Sequence, residues 1–389
     1  MRGVVLAVCL LCSAVMLSAG DGVAFTTITS WNEALILAKS TGKPIFLDAY
    51  TDWCGWCKVM DKETFSDPKV AKVMNASFVC VKMEMETGEG VDVAMKYRIS
   101  SYPTFMVFTA EGIPTYRVSG YQPPEKWLVS LADAKDPSKR LKAPGVTPEL
   151  KLNFPEWHRI SFLKGSSRRF PDTAVSRAWF ESYQYKYDEV AWGVLLRQDL
   201  GEEWEQWALA HESEYRSRYG DEVAQLRNKA SQRYFNRAVA LKDPSWLKKA
   251  IAIESDLPLE KQEHLMYRYN GLYGQRTGTW SMVGSTARSM ADRMDYERHV
   301  DEINELSWSI YEKCSDKSVI NDALYAMGKI CQSSKAGWMM VDTHAALLYK
   351  AGRYTEARTE AERAIKGGKA SGADVKETEA LLVKIKAAK

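Results

Sequence analysis

The sequence predicts two architectures in series: an α/β domain with a mixed central sheet flanked by helices over residues 25–134, then an all-α helical domain over 151–389. Three observations predict this. Helix and strand patterns follow one another through the first part of the chain, an order that covers both faces of a sheet with helices. Residues 135–150 are rich in lysine and proline, with Pro137, Pro144-Gly145 and Pro148, and read as a linker. Beyond it strand alternation disappears and apolar residues recur at helical spacing.

The elements follow in order. Met1-Arg2 precedes an apolar stretch, residues 4–17, broken by Ser13 and followed by Ser18-Ala19-Gly20-Asp21. One positive charge, about 14 apolar residues and a run of small residues describe a secretory leader over residues 1–20 better than a membrane span, which needs about 20 apolar residues. Membrane anchoring by an uncleaved N-terminus is the less favoured reading. Residues 31–40 carry Ala34, Leu35, Leu37 and Ala38 on one face with Ser30 as N-cap, so a helix is expected. Residues 44–50 form a short apolar run bounded by turn residues, the pattern of a buried strand. Ser66-Asp67-Pro68 opens a helix, and residues 91–98 suggest another. The apolar stretches 105–109 and 115–118, separated by Ala110-Glu111-Gly112-Ile113-Pro114, suggest a hairpin, and Pro123-Pro124-Glu125 starts a helix to residue 134.

Chemistry concentrates in Trp53-Cys54-Gly55-Trp56-Cys57-Lys58. A strand that turns into a helix here places Cys54 at the helix N-terminus, where free N–H groups and the helix dipole favour a thiolate. Cys57, about one helical turn away, can then attack a mixed disulfide formed on Cys54. Downstream, Ser101-Tyr102-Pro103-Thr104 leads into an apolar strand. The hydrophobic strand containing Asp48, the Trp-Cys-x-x-Cys-Lys motif and the Pro-Thr before a strand together resemble the thioredoxin fold family.

The resemblance implies a thiol–disulfide oxidoreductase. It makes Cys54 the attacking thiolate, Cys57 the resolving thiol and Asp48 the buried carboxylate that handles the proton of Cys57. Pro103 becomes the cis-proline facing the cysteines, and Tyr102 the residue whose backbone holds an extended substrate, with Trp53 and Trp56 as further substrate contacts. Lys82 is either the ion partner of Asp48 or a solvated strand lysine. The dipeptide Gly55-Trp56 departs from the Gly-Pro usual in thioredoxins, which leaves the direction of electron flow open.

Cys80 reads as a small buried hydrophobe, while Cys314 and Cys331 read equally as a disulfide or as two free helical thiols. The aromatic residues Trp179, Phe180, Tyr183, Tyr187, Trp192, Trp204, Trp207, Tyr215 and Tyr219 recur at three- and four-residue spacings that suit helix–helix contacts. Residues 345–357, followed by Ala361, Ala364 and Ile365, resemble a tetratricopeptide repeat, with a degenerate neighbour over 320–342 and the repeat-like segment near 320–367 as a whole. The five histidines lie at no metal-ligand spacing, so no metal and no cofactor is expected. A formal net charge of +3, with 26% charged residues and no basic tract interleaved with aromatics, argues against nucleic acid as a partner.

The expected function is an exported thiol–disulfide oxidoreductase of a bacterial periplasm, acting on protein thiols and disulfides, with reduction the favoured direction. A membrane electron donor or acceptor and a protein partner on the helical domain are the partners this implies. A second reading, of a different class, is a helical-repeat binding or scaffold protein whose thioredoxin-like domain is an adaptor.

Overall fold

The computed structural model describes residues 22–293, 295–333 and 335–388. The leader expected at residues 1–20 lies outside the described residues. A five-stranded sheet in the order β1-β3-β2-β4-β5 is built from β1 (Thr26–Thr27), β2 (Ile45–Tyr50), β3 (Val79–Glu84), β4 (Thr104–Phe108) and β5 (Pro114–Ser119). The pairs β1/β3 and β2/β3 are parallel, whereas β2/β4 and β4/β5 are antiparallel. The sheet is mixed, as the sequence predicts. The two-residue edge strand β1 is an addition, too short to leave a periodic signal.

Side-chain alternation along β2 divides the core in two. Ile45, Leu47 and Ala49 join one apolar cluster with α1 (Trp31–Thr41) and α4 (Gly90–Lys96). Phe46 faces the other way, into a cluster with α3 (Pro68–Ser77) and α5 (Pro124–Lys135), where Phe105 and Trp127 meet at 4.7 Å between ring centroids. Asp48 shares the Phe46 face, which is why a carboxylate lies beneath the helix that follows the cysteines. Local chemistry sets the helix ends. Ser30 accepts from the Asn32 N–H and Gly42, at φ 67°, closes α1, while Asp67 caps α3. Gly90 is required at the start of α4, because a Cβ there would lie 1.8 Å from the Glu84 carbonyl oxygen.

The chain divides into two compact units, the first ending at Leu226 and the second beginning at Arg227. In the first, helices α6 (Glu156–Ile160), α7 (Thr173–Ser182), α8 (Glu189–Arg197), α9 (Glu202–Ala210) and α10 (Glu212–Tyr219) extend the α1/α4 core. Aromatic residues expected at helix contacts meet there: Trp192 stacks on Tyr215 at 4.8 Å and on Tyr219 at 5.1 Å, and Trp204 meets Phe180 at 5.1 Å. Two ionic clusters join this helical extension to α4 and to the loop that follows it. Lys96 of α4 donates to both Glu189 oxygens at 2.7 and 2.8 Å. Arg98 binds both oxygens of Glu222 at 2.8 and 2.9 Å. Within the stretch 135–150, the Leu141 N–H donates to Thr115 and the Gly145 N–H to Arg218.

The second unit is helical: α11 (Ala224–Leu241), which begins just before it, α12 (Ser245–Ala252), α13 (Leu259–Thr277), α14 (Trp280–Ala291), α15 (Val300–Lys313), α16 (Lys317–Ile330), α17 (Trp338–Lys350), α18 (Tyr354–Ala370) and α19 (Lys376–Ala387). Small residues Ala345, Ala346, Ala357 and Ala361 are fully buried between α17 and α18, and Gly352, at φ 78°, lies in the turn between them. Cys314 and Cys331 are both free thiols. Among the described residues no helix is long and apolar enough to cross a membrane.

Candidate active site

Strand β2 ends at Tyr50, and the turn Thr51-Asp52-Trp53 delivers Cys54 to the N-cap of α2 (Gly55–Val59). The turn closes through the Cys54 N–H, which donates to Thr51 at 3.0 Å. Cys54 and Cys57 are joined by a disulfide. The Cys57 N–H points at the Cys54 Sγ at 3.0 Å, so one orphan donor of the first turn is spent on that sulfur. The helix expected after Cys54 is modified: α2 gives way to a π-helical turn, Met60–Thr64, that turns Met60 and Thr64 inward.

Beneath this turn, Asp48 lies 3.2 Å from the Lys82 Nζ. Lys82 is thus an ion partner of Asp48, reached across the β2/β3 register that sets the two side by side. Lys82 also contacts Asp61 at 2.5 Å, a partner supplied by the π-helical turn. Among the described residues the Asp48 Oδ1 has no hydrogen-bond partner. Burial pushes the Asp48 carboxyl up to about 6, and the attraction of Lys82 offsets that only in part.

Four aromatic rings flank the cysteines. Trp53 and Trp56 are 59% and 61% exposed, a large apolar surface to leave in water. Trp53 meets Tyr102 edge to face at 5.9 Å, which brings the loop before β4 against the cysteine turn. The Tyr102–Pro103 peptide is cis. Burial and the nearby Glu86 push the Tyr102 hydroxyl up to about 12, so it stays neutral. Trp56 stacks on Tyr121 at 5.5 Å, whose hydroxyl donates to Glu63 at 2.6 Å.

Sequence reasoning did not find Tyr121, Asp61, Glu86, Arg168 or Lys164. The Trp53 indole N–H donates to Glu86 at 2.8 Å, and Arg168, from the segment between α6 and α7, pairs with the same carboxylate. Lys164 reaches Asp52 at 2.7 Å. Polar residues scattered over 52–168 carry no shared motif. The one usable signal was Tyr121, an aromatic in an otherwise polar turn.

Residues 21–130 match the family model Thioredox_DsbH, described as "Protein of unknown function, DUF255". This part of the chain is a thioredoxin-like domain of the DsbD/DsbH kind. Over 111 residues the chain is 37% identical to the "Thiol:disulfide interchange protein DsbD" of Escherichia coli strain K12, covering 28% of this chain and 19% of that protein. The chain therefore spans about a fifth of the length of the curated relatives it matches. A solution structure of a proposed disulphide-isomerase from Bacteroides thetaiotaomicron is 37% identical, covering 31% of this chain and 98% of that one, with a TM-score of 0.29. A thioredoxin from Thermus thermophilus is 27% identical, covering 28% and 85%, with a TM-score of 0.26. The thioredoxin-like domain is of the thiol–disulfide oxidoreductase class.

Proposed function

We propose that the whole chain is an exported thiol–disulfide oxidoreductase that reduces disulfides in protein substrates through Cys54 and Cys57. The observation that carries this is the placement of Cys54 at the N-cap of α2, with the Cys57 N–H directed at its sulfur. In the reduced protein that contact becomes a charge-assisted hydrogen bond to a thiolate.

The Cys54 thiolate attacks a substrate disulfide, forming a mixed disulfide and releasing one substrate thiolate, which takes a proton from water. Cys57 then attacks the Cys54 sulfur, closing the Cys54–Cys57 bond and releasing the second substrate thiolate, which like the first takes a proton from water. Two electrons pass from the cysteine pair to the substrate, and a dithiol donor must return them. Asp48, held near neutral range by burial, accepts the Cys57 proton. Trp53, Trp56, Tyr102 and Pro103 form the surface on which an extended substrate segment lies. The apolar stretch at residues 4–17 supports export to a bacterial periplasm, where a membrane protein is the electron donor that fits the chemistry.

Turnover of a disulfide-bonded peptide by the dithiol-reduced protein tests this. Cys54→Ser is expected to abolish it, and Cys57→Ser to accumulate a mixed disulfide on Cys54. Turnover that survives Cys54→Ser refutes the reading. The reduction potential of the pair decides direction: a value near about −270 mV fits a reductase, whereas one near about −120 mV reverses the flow.

A further inference from the structure

The second unit brings together three side chains that are far apart in sequence. Cys331 ends α16, His344 lies in α17 and Glu360 in α18. One potential ligand atom from each lies within 4.8 Å of the other two. His344 and Glu360 are only 16% and 20% exposed, and the His344 Nδ1 stands 3.7 Å from the Glu360 carboxylate. That is beyond hydrogen-bond reach, and among the described residues the buried Nδ1 has no hydrogen-bond partner. The other ring nitrogen faces Gly328 of α16, where an added Cβ would lie 4.0 Å from it. The imidazole is therefore oriented with Nδ1 toward the cluster. The Cys331 sulfur lies 3.6 Å from the Met340 carbonyl.

We infer that Cys331, His344 and Glu360 form a binding site for a zinc-class divalent cation, with a fourth position left to water. A thiolate, an imidazole and a carboxylate are the donor types such an ion takes, and its tetrahedral bonds of about 2.0–2.3 Å place ligand atoms about 3.3–3.6 Å apart. The His344–Glu360 separation already approaches that spacing. Soft sulfur with nitrogen selects against magnesium and calcium, which take oxygen donors. Binding converts the Cys331 thiol to thiolate, and its proton leaves to solvent. The thiolate and the Glu360 carboxylate then balance the two positive charges. Glu360 now pairs with Arg363 at 2.6 Å, and Arg363 is 47% exposed, so its guanidinium can swing into water when the cation replaces it. A second cluster, His264, His299 and Glu302, lacks sulfur and is more open, with His264 and Glu302 41% and 47% exposed.

The test is a Co²⁺ titration of the full chain with Cys54 and Cys57 oxidised, so that neither can ligate. The expected result is one Co²⁺ per chain with a thiolate-to-cobalt charge-transfer band that Zn²⁺ abolishes by displacement. Cys331→Ser is expected to remove the band, and Glu360→Gln to weaken binding by at least about tenfold. Arg363→Ala, which removes the competing cation, is expected to tighten it. Circular dichroism of each variant checks that the helices remain. Absence of a charge-transfer band in the native chain, or a band that persists in folded Cys331→Ser, overturns the site. No disulfide exchange enters the assay, so its outcome is independent of the oxidoreductase reading.

Discussion

Lys96 and Lys82 each face a buried carboxylate in the first unit, but the two pairs are finished differently. Glu189 accepts from Lys96 twice, from the Thr147 N–H at 2.8 Å and from the Thr147 hydroxyl at 2.6 Å, so both carboxylate oxygens are satisfied. Asp48 has one contact to Lys82 at 3.2 Å, its second oxygen has no hydrogen bond among the described residues, and Lys82 is shared with Asp61. Burial lowers Lys96. Burial also acts to lower Lys82, but Asp48 and Asp61 together outweigh it and leave it raised. The Lys96 pair is hydrogen-bonded into one state and fixes α8 to α4. The Asp48 pair is left incomplete beside the π-helical turn that follows the cysteines, as the proposed role in accepting a proton would require.

Breaking the satisfied pair should have the largest effect. Glu189→Gln removes the counter-charge from an ammonium whose side chain is 0% exposed, and the expected loss is about 3–5 kcal/mol in urea unfolding of the full chain. Replacing both members, Lys96→Met with Glu189→Leu, should recover most of it, because no uncompensated charge remains. A loss below about 1 kcal/mol in Glu189→Gln, the scale of an exposed pair, would mean that this pair does not anchor the helices.

The incomplete pair should respond with the opposite sign. Asp48 titrates near 6 when folded, above its ordinary value of 3.8, so between these the folded state holds more protons than the unfolded chain. Its contribution to stability is full below about 3.8 and is lost as pH rises through about 6. At neutral pH the ionised carboxylate is therefore a burden. Asp48→Asn is expected to stabilise the protein there by about 1–2 kcal/mol, less than the shift alone implies because Lys82 keeps only Asp61. The gain should shrink as pH falls toward 4, while disulfide exchange is expected to slow because the proposed proton acceptor is gone. A variant destabilised at neutral pH would place Asp48 with Glu189, as a holding group.

The contrast also marks what the sequence could show. Strand alternation puts Asp48 on the Phe46 face, and the turn before Cys54 places that sulfur at a helix start, because both depend on neighbours within a few residues. The partners that finish each pair are remote. Glu189 lies 93 residues from Lys96 and Glu222 lies 124 from Arg98, separations at which no local pattern predicts a pairing. Asp61 reaches Lys82 from a π-helical turn where the sequence suggests ordinary helix. Cys331, His344 and Glu360 were invisible for the same reason: ligand spacing is legible only within one loop or helix, and these three sit on separate elements.

An exposed pair supplies the smallest effect and the control for both. Lys164 and Asp52 join the same two parts of the first unit as Lys96 and Glu189, at a similar 2.7 Å, but their side chains are 44% and 61% exposed. Water and salt screen such a pair, and ordering two flexible side chains offsets the attraction that is left. Lys164→Ala should leave the urea midpoint unchanged within error, so that distance alone, without burial, carries no anchoring. Its consequence should be kinetic instead. Asp52, released beside Trp53 and Cys54, makes the rim of the site more negative. Exchange with acidic peptide disulfides should slow at low ionic strength and recover at high salt, while neutral peptides react as before. If Lys164→Ala unfolds as readily as Glu189→Gln, burial is not what separates the pairs, and the division drawn between Lys96 and Lys82 fails with it.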